Sequence, residues 1–229
     1  MLKLSDVKDW KELINQVAMG DCLEGMKLIP DKSIDLILTD PPYGIGADSS
    51  MAKDSGSQRG NSAAARSFYE TTNWDNNPPS KEIFDEMFRI SKNQIIFGGN
   101  YFISLGLYNS PCWIVWDKNN GDNGYADCEL VWTSFPTAVR KIKYKWQGML
   151  QQDMKHKEIR QHPTQKPTEV MRWILANYSK DTDLICDPFM GSWTTARACK
   201  DLGRDFIGFE LSEKYCKVGE ERLRQQNLF

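Results

Sequence analysis

An apolar run that ends on two prolines constrains this chain more than any other feature. In Ile34-Asp35-Leu36-Ile37-Leu38-Thr39-Asp40-Pro41-Pro42-Tyr43 the apolar part reads as a buried strand. Proline has no N–H for a sheet ladder, so the strand stops at Asp40. A residue before proline is pushed to an extended backbone. Asp40 and Tyr43 are therefore expected on a stiff turn just past the carboxyl end of a strand, where open α/β sheets bind ligands. The Asp40 carboxylate and the Pro41 carbonyl are acceptors, Pro42 stiffens the turn, and Tyr43 offers a ring face. Together they can grip a planar ring that carries an NH2 group. The same four residues also suit an ordinary strand-ending turn.

The 229 residues fit one large α/β domain or two small ones, and a single domain over residues 1–229 is the reading adopted. No apolar run approaches the roughly 20 residues needed to span a bilayer, and the amino terminus lacks a signal-peptide layout. Six scattered cysteines without a Cys-x-x-Cys pair, and only two histidines, argue against zinc or a disulfide framework. They fit reduced thiols in a cytoplasm. A net charge of −2 speaks against a general nucleic-acid coat but leaves room for a local basic patch.

In chain order, residues 1–20 read as a weakly amphipathic helical start leading to Gly20-Asp21-Cys22, with a helix over 23–28. Asp21 suits the N-cap of that helix and equally a carboxylate at the ligand edge of the sheet. Residues 44–80 are rich in Gly, Ser, Ala, Asn and Asp, with Arg59 and Arg66 interspersed. So long a connection is expected either to be a mobile loop that orders on substrate or a plain insertion. A helix with Ile83, Phe84, Met87 and Phe88 on one face follows, then strands at 94–97, 112–116 and 129–132. This alternation argues for a doubly wound, mostly parallel, Rossmann-like sheet.

Residues 121–161 form a segment of different character. From Val139 to Arg160 there are seven Lys/Arg against Asp153 and Glu158. The run Val139-Arg140-Lys141-Ile142-Lys143-Tyr144-Lys145-Trp146 alternates in polarity, as a half-exposed strand would. Arg140, Lys141, Lys143 and Lys145 can face DNA phosphates, or can blunt a solvated edge strand. His162-Pro163-Thr164-Gln165-Lys166-Pro167 then opens a helix to Tyr178. Asp187 ends the next strand and Glu210 the one after, 23 positions later. Strand, glycine-bearing loop, helix, strand and acid is the nucleotide-binding arrangement of doubly wound folds. The three-glycine phosphate fingerprint is missing, so a nucleoside without phosphates fits better than a dinucleotide.

Asp40-Pro41-Pro42-Tyr43, His162-Pro163-Thr164-Gln165-Lys166-Pro167 and Asp187-Pro188-Phe189-Met190-Gly191-Ser192 together resemble the signatures of the DNA amino-methyltransferases. The catalytic turn comes first, the cofactor loop last, and a basic segment lies between. That permuted order resembles the β group, and short phage or prophage adenine methyltransferases look the most similar. The resemblance runs from about Asp21 to about Glu220. It implies S-adenosylmethionine as cofactor and double-stranded DNA as partner, with a homodimer as one arrangement. It also implies the setting of restriction–modification or a phage-infected host cell. Carried over, Glu210 binds the ribose hydroxyls, and Asp21 and Cys22 lie near the cofactor's adenine. Asp187 and Phe189 line its pocket with Gly191 and Ser192 behind, and Thr164 and Lys166 lie toward the methionine carboxylate.

One departure stands out: Trp193 follows Gly-Ser where the family usually has glycine. If the turn needs φ > 0, tryptophan is strained there. A rearranged turn with a packed indole, a ring stacked near the cofactor and a weakened cofactor site are the three readings. Aspartate at position 40 resembles the adenine-N6 members, with cytosine-N4 as the alternative. RNA, a protein amide and a DNA-binding remnant without catalysis are the more distant ones. Pro111-Cys112 opens an apolar strand apart from the catalytic turn, so Cys112 reads as core.

Overall fold

The computed structural model describes residues 1–46, 75, 77–121, 126–147, 150–162 and 164–225. The strands are β1 (Leu2–Lys3), β2 (Gln16–Met19), β3 (Ile34–Thr39), β4 (Ser91–Phe97), β5 (Trp113–Asp117), β6 (Cys128–Thr133) and β7 (Arg140–Lys143), followed by β8 (Trp146–Gln147), β9 (Leu150–Gln151), β10 (Leu184–Asp187) and β11 (Asp205–Glu210). The helices are α1 (Cys22–Leu28), α2 (Lys81–Ile90), α3 (Thr168–Tyr178), α4 (Thr194–Leu202) and α5 (Glu213–Arg224).

Among the described residues, a nine-stranded sheet runs in the order β1-β2-β11-β10-β3-β4-β6-β5-β7. Its pairings are parallel except where β6 meets β4 and β5. This is an open, mostly parallel, Rossmann-like sheet, with the strand that leads into Asp40 beside the strand that carries Asp187. The two buried clusters lie on opposite faces. Leu36, Leu38 and Ile95 point to the face covered by α3, α4 and α5, through Ile174, Ala196 and Cys216. Ile37 and Ile96 point to the face covered by α1 and α2, through Met26, Phe84 and Met87. Period-two alternation along β3 and β4 feeds both cores. Cys112 is fully buried, as its place in an apolar strand implies.

Two segments differ from their sequence reading. Residues 1–20 hold two short strands and two 3-10 turns instead of a helix. Val17 and Ala18 are buried where β2 pairs with β11, so the sheet overrides a weak helical period. The basic run is not one strand. It breaks after Lys143, and Trp146 begins a separate two-stranded sheet with β9. There the Trp146 indole donates to the Gln165 carbonyl at 3.0 Å, tying this excursion to the segment that precedes α3.

Trp193 keeps the left-handed backbone that the turn requires, at φ 62°, and its indole is 4% exposed. The turn is therefore not rearranged, and the side chain packs away from the ligand edge onto α5. A Cβ added at Gly219 would lie 2.1 Å from the indole, so only glycine fits beneath it. On a free helix surface Gly→Ala stabilises by about 1 kcal/mol. Here the collision reverses the sign, because overpacking a rigid core costs about 1–3 kcal/mol. Gly219→Ala is expected to lower Tm, at roughly 2–4 °C per kcal/mol for a chain of this size. Adding Trp193→Gly to that variant should recover stability relative to Gly219→Ala alone, a coupling that thermal unfolding of the four-member cycle measures.

Candidate active site

The carboxyl ends of β3 and β10 are neighbours, and a cavity of about 460 Å³ opens beside them. Asp40, Pro42, Thr164, Lys166, Asp187, Phe189, Gly191, Ser192, Glu210 and Cys22 all line it, so the structure brings most of the expected site residues together. Its size is that of a small-molecule site.

The two acids at the strand ends do different work. Both Asp187 oxygens are held inside the protein. Thr39 donates its hydroxyl to one at 2.6 Å and Thr195 to the other at 2.6 Å, and the Phe189 N–H adds a bond of 3.0 Å. Burial pushes this carboxyl up to about 6. Asp187 thus shapes the cavity wall and has little capacity left for a ligand. Glu210 is gripped by backbone, with Gly191 N–H donating to Oε2 and Ser212 N–H to Oε1, each at 2.8 Å. Those bonds aim the carboxylate at the cavity and leave lone pairs free. Burial raises its pKa to about 7. Asp21 is the N-cap of α1, accepting from Leu23 N–H at 2.8 Å. Its neighbours Gly20 and Cys22 line the cavity, and Asp21 itself stays at the exposed rim. The Cys22 thiol is pushed up to about 12, chiefly by burial, so it is unreactive wall.

At the turn after β3, Tyr43 Oη donates to Asp40 Oδ1 at 2.8 Å, and Lys166 Nζ donates to Asp40 Oδ2 at 2.6 Å. Sequence resemblance sends Lys166 toward the methionine carboxylate. The structure places it at the Asp40 turn, where two carboxylates meet in a poorly solvated place. The second is Glu129 on β6, whose Oε2 is 3.3 Å from Lys166 Nζ and whose Oε1 pairs with Lys118 at 2.7 Å. Two acids and two lysines therefore form an electroneutral chain. Burial raises the Asp40 pKa, outweighing the attraction of Lys166. Glu129 is held below the usual range because Lys166 and Lys118 together outweigh its burial. Burial and the nearby Asp40 keep the Tyr43 phenol protonated well beyond its ordinary range. The Tyr43 ring stacks on Tyr101 with centroids 4.9 Å apart. Gly98, at φ 65°, lies against the same ring, where a Cβ would come within 2.3 Å.

Several members of this site escaped the sequence reading. His162 borders the cavity as a neutral imidazole, its pKa lowered to about 4 by burial. Gln165 receives the Ser192 hydroxyl at 3.3 Å. Arg222 of α5 donates to the Ser192 carbonyl at 3.0 Å, to the Thr194 hydroxyl at 2.9 Å and to Glu158 at 2.8 Å. The last helix thereby holds the loop that follows β10. Glu129 carries one legible signal, an acid between Cys128 and the apolar run Leu130-Val131-Trp132.

The basic residues scatter. Lys141 pairs with Asp117 at 3.1 Å, and Lys143 ends β7 at the same edge of the sheet as the catalytic turn. Lys145 lies between the two sheets. Arg140 begins β7 and lines a cleft with Lys92 and Tyr178 at the opposite edge. Arg59 and Arg66 lie outside the described residues, as does most of the 44–80 stretch. What is described there is its base. The Asp75 side chain accepts from Gly44 N–H at 2.9 Å, and its carbonyl accepts from Gly46 N–H at 3.1 Å.

The chain resembles known proteins in sequence and in fold. The N6_N4 DNA methylase family matches residues 112–221. The type II methyltransferase M.HinfI of Haemophilus influenzae is 27% identical over 93% of this chain and 69% of its own length. M.HpaI of Haemophilus parainfluenzae is 27% identical over 89% of this chain and 72% of its own. Among solved structures, the M1.HpyAVI–SAM complex superimposes with a TM-score of 0.52 at 22% identity, covering 92% of this chain and 99% of that one. The cytosine-N4-specific PvuII DNA methyltransferase gives 0.58 at 16% identity, covering 93% of this chain and 88% of that one. Over residues 112–221, then, this chain is similar to the N6/N4 DNA methylase family, and its fold is that of Rossmann-like proteins solved as DNA methyltransferases.

Proposed function

We propose that the chain methylates the exocyclic N6 of an adenine flipped out of duplex DNA, with S-adenosylmethionine as the methyl donor. One observation carries the reading: Asp40 and Glu210 line a single cavity from the carboxyl ends of strands in one sheet. An amino-gripping turn and a ribose-type carboxylate thus share one space. The donor set fits a nucleoside without phosphates, since the loop after β10 offers apolar wall and no lysine or arginine, and the neighbouring carboxylate is that of Glu210. S-Adenosylmethionine, when bound there, supplies an electrophilic methyl group on a positively charged sulfur.

The chain's own residues orient the acceptor. An exocyclic amino nitrogen is a weak nucleophile because its lone pair is delocalised into the ring. Asp40 and the Pro41 carbonyl accept its two N–H bonds and favour a more tetrahedral nitrogen with a directed lone pair. Catalysis is mainly orientation and electrostatics. The protonated Tyr43 phenol fixes one Asp40 oxygen, so the carboxylate is preorganised. The target atom is inaccessible within a duplex, so the base leaves the stack. It then takes over the Tyr43 face that Tyr101 covers. Base–aromatic stacking is worth about 1–3 kcal/mol, against about 0.5–1.5 kcal/mol for an aromatic pair, so the exchange favours the base. Lys143 and Lys145 supply phosphate contacts along the same edge.

Aspartate at the head of the turn favours adenine over cytosine, by resemblance. Nucleoside mass spectrometry of DNA from a methylation-deficient host that expresses this chain tests base and reaction together. N6-methyladenine should appear, and Asp40→Ala should lower it by roughly 10²–10³, the effect of losing one preorganised polar group. N4-methylcytosine in its place would transfer the reading to the cytosine class.

Glu210 makes the cofactor interaction pH-dependent. Its pKa of about 7 means that the ionised form, the better acceptor for ribose hydroxyls, fills in as pH rises. Cofactor affinity measured by calorimetry should therefore increase from pH 6 to pH 8, falling about tenfold for each unit below the pKa if only the ionised form binds. Glu210→Gln should bind weakly, with that slope abolished.

A further inference from the structure

Lys166 occupies the acceptor that the target amino group needs. Its Nζ lies 2.6 Å from Asp40 Oδ2 while Tyr43 holds Oδ1. A full ammonium so close weakens Asp40 as an acceptor. It also repels the positive charge that the attacking nitrogen gains as it takes the methyl group. The same ammonium has a second seat within reach. Glu129 Oε2 is 3.3 Å away, outside hydrogen-bonding geometry, and that buried oxygen has no hydrogen-bond donor among the described residues. Oε1 of the same carboxylate is already taken by Lys118 at 2.7 Å. A displacement of about half an ångström would bring Nζ to an ordinary ion-pair distance from Oε2. The four charges stay balanced in either arrangement, so the shift requires no proton.

We propose that Lys166 caps Asp40 while the target slot is empty and withdraws onto Glu129 when a target amino group takes its place. Glu129 is then a positioning residue for methyl transfer, acting through Lys166. This rests on the amino-methyltransferase reading above. It assigns a task to an orphaned buried oxygen whose residue does not line the cavity.

The test uses the full chain with radiolabelled S-adenosylmethionine and duplex DNA on which the wild type is active, together with cofactor titration. Glu129→Gln keeps the shape and removes the second seat. It should bind the cofactor within about twofold of wild type, keep KM for DNA, and lose at least tenfold in kcat. The discriminating variant is Glu129→Gln/Lys166→Met, where no ammonium remains to hold Asp40. It should methylate faster than Glu129→Gln alone, a rescue that a purely structural role for Glu129 would not give. Wild-type kcat in Glu129→Gln, or a double variant no faster than the single one, overturns the inference and leaves the proposed function intact. If Glu129→Gln loses cofactor binding, Glu129→Asp takes its place. Asp withdraws the charge by one methylene, and the same reductions and the same rescue are expected. A wild type that binds cofactor and methylates no nucleic acid overturns the function and this inference with it.

Discussion

Two threonine hydroxyls on one buried carboxylate join the halves of this molecule. Thr39 comes from the strand that leads into Asp40 and Thr195 from the helix that follows the loop after β10, and each donates to its own oxygen of Asp187. A carboxylate in that position costs several kcal/mol to desolvate, and the two hydroxyls with the Phe189 amide offset that cost in place. The geometry is consequently stiff where stiffness matters. The turn after β3 and the loop after β10 cannot slide past one another without orphaning a buried charge. Arg222 repeats the device on the far side of the loop, tying Ser192 and Thr194 to Glu158 and the start of α3.

The second organising element is electrical. Asp40 and Glu129 approach each other in a region poor in water, and Lys166 and Lys118 neutralise them. Poorly solvated like charges repel strongly, so neither acid could remain ionised without the lysines. Charge neutrality is shared along a chain rather than assigned pair by pair. Rearranging one member costs less than removing it.

Much of this was legible in the linear chain. Two prolines after an apolar run, and acids closing successive strands, are local signals, and the fold places them at strand ends as the covalent chemistry of proline and the βαβ unit require. What was not legible depends on partners distant in sequence. Gln16–Met19 lacks a strand's period and becomes one because β11 lies beside it. The place of Glu129 is hidden in the sequence for a directional reason. In a parallel strand its position would lie at the edge away from the site, but β6 runs antiparallel to β4, and its first residues therefore arrive at the catalytic edge. Direction within a sheet is a tertiary property, and no single segment encodes it. Lys166 was legible as a site residue but not in its contact, since its choice between a ligand carboxylate and two protein carboxylates depends on where Glu129 ends up. Trp193 shows the reverse case. Its strain was readable from position, while its accommodation rests on a glycine in another helix.

The Asp75 clamp has a consequence for how such a chain can change over generations. One residue bonds the backbone at Gly44 and Gly46, just after the catalytic turn, from the far end of the intervening segment. The turn is thus fastened at its exit, whatever lies between. Closing a longer loop adds only about 0.6 kcal/mol per doubling of length. Any change within residues 47–74 that keeps Asp75 therefore leaves both bonds available to hold the backbone just after Asp40. The position of that turn then rests on three residues and not on how many lie between them.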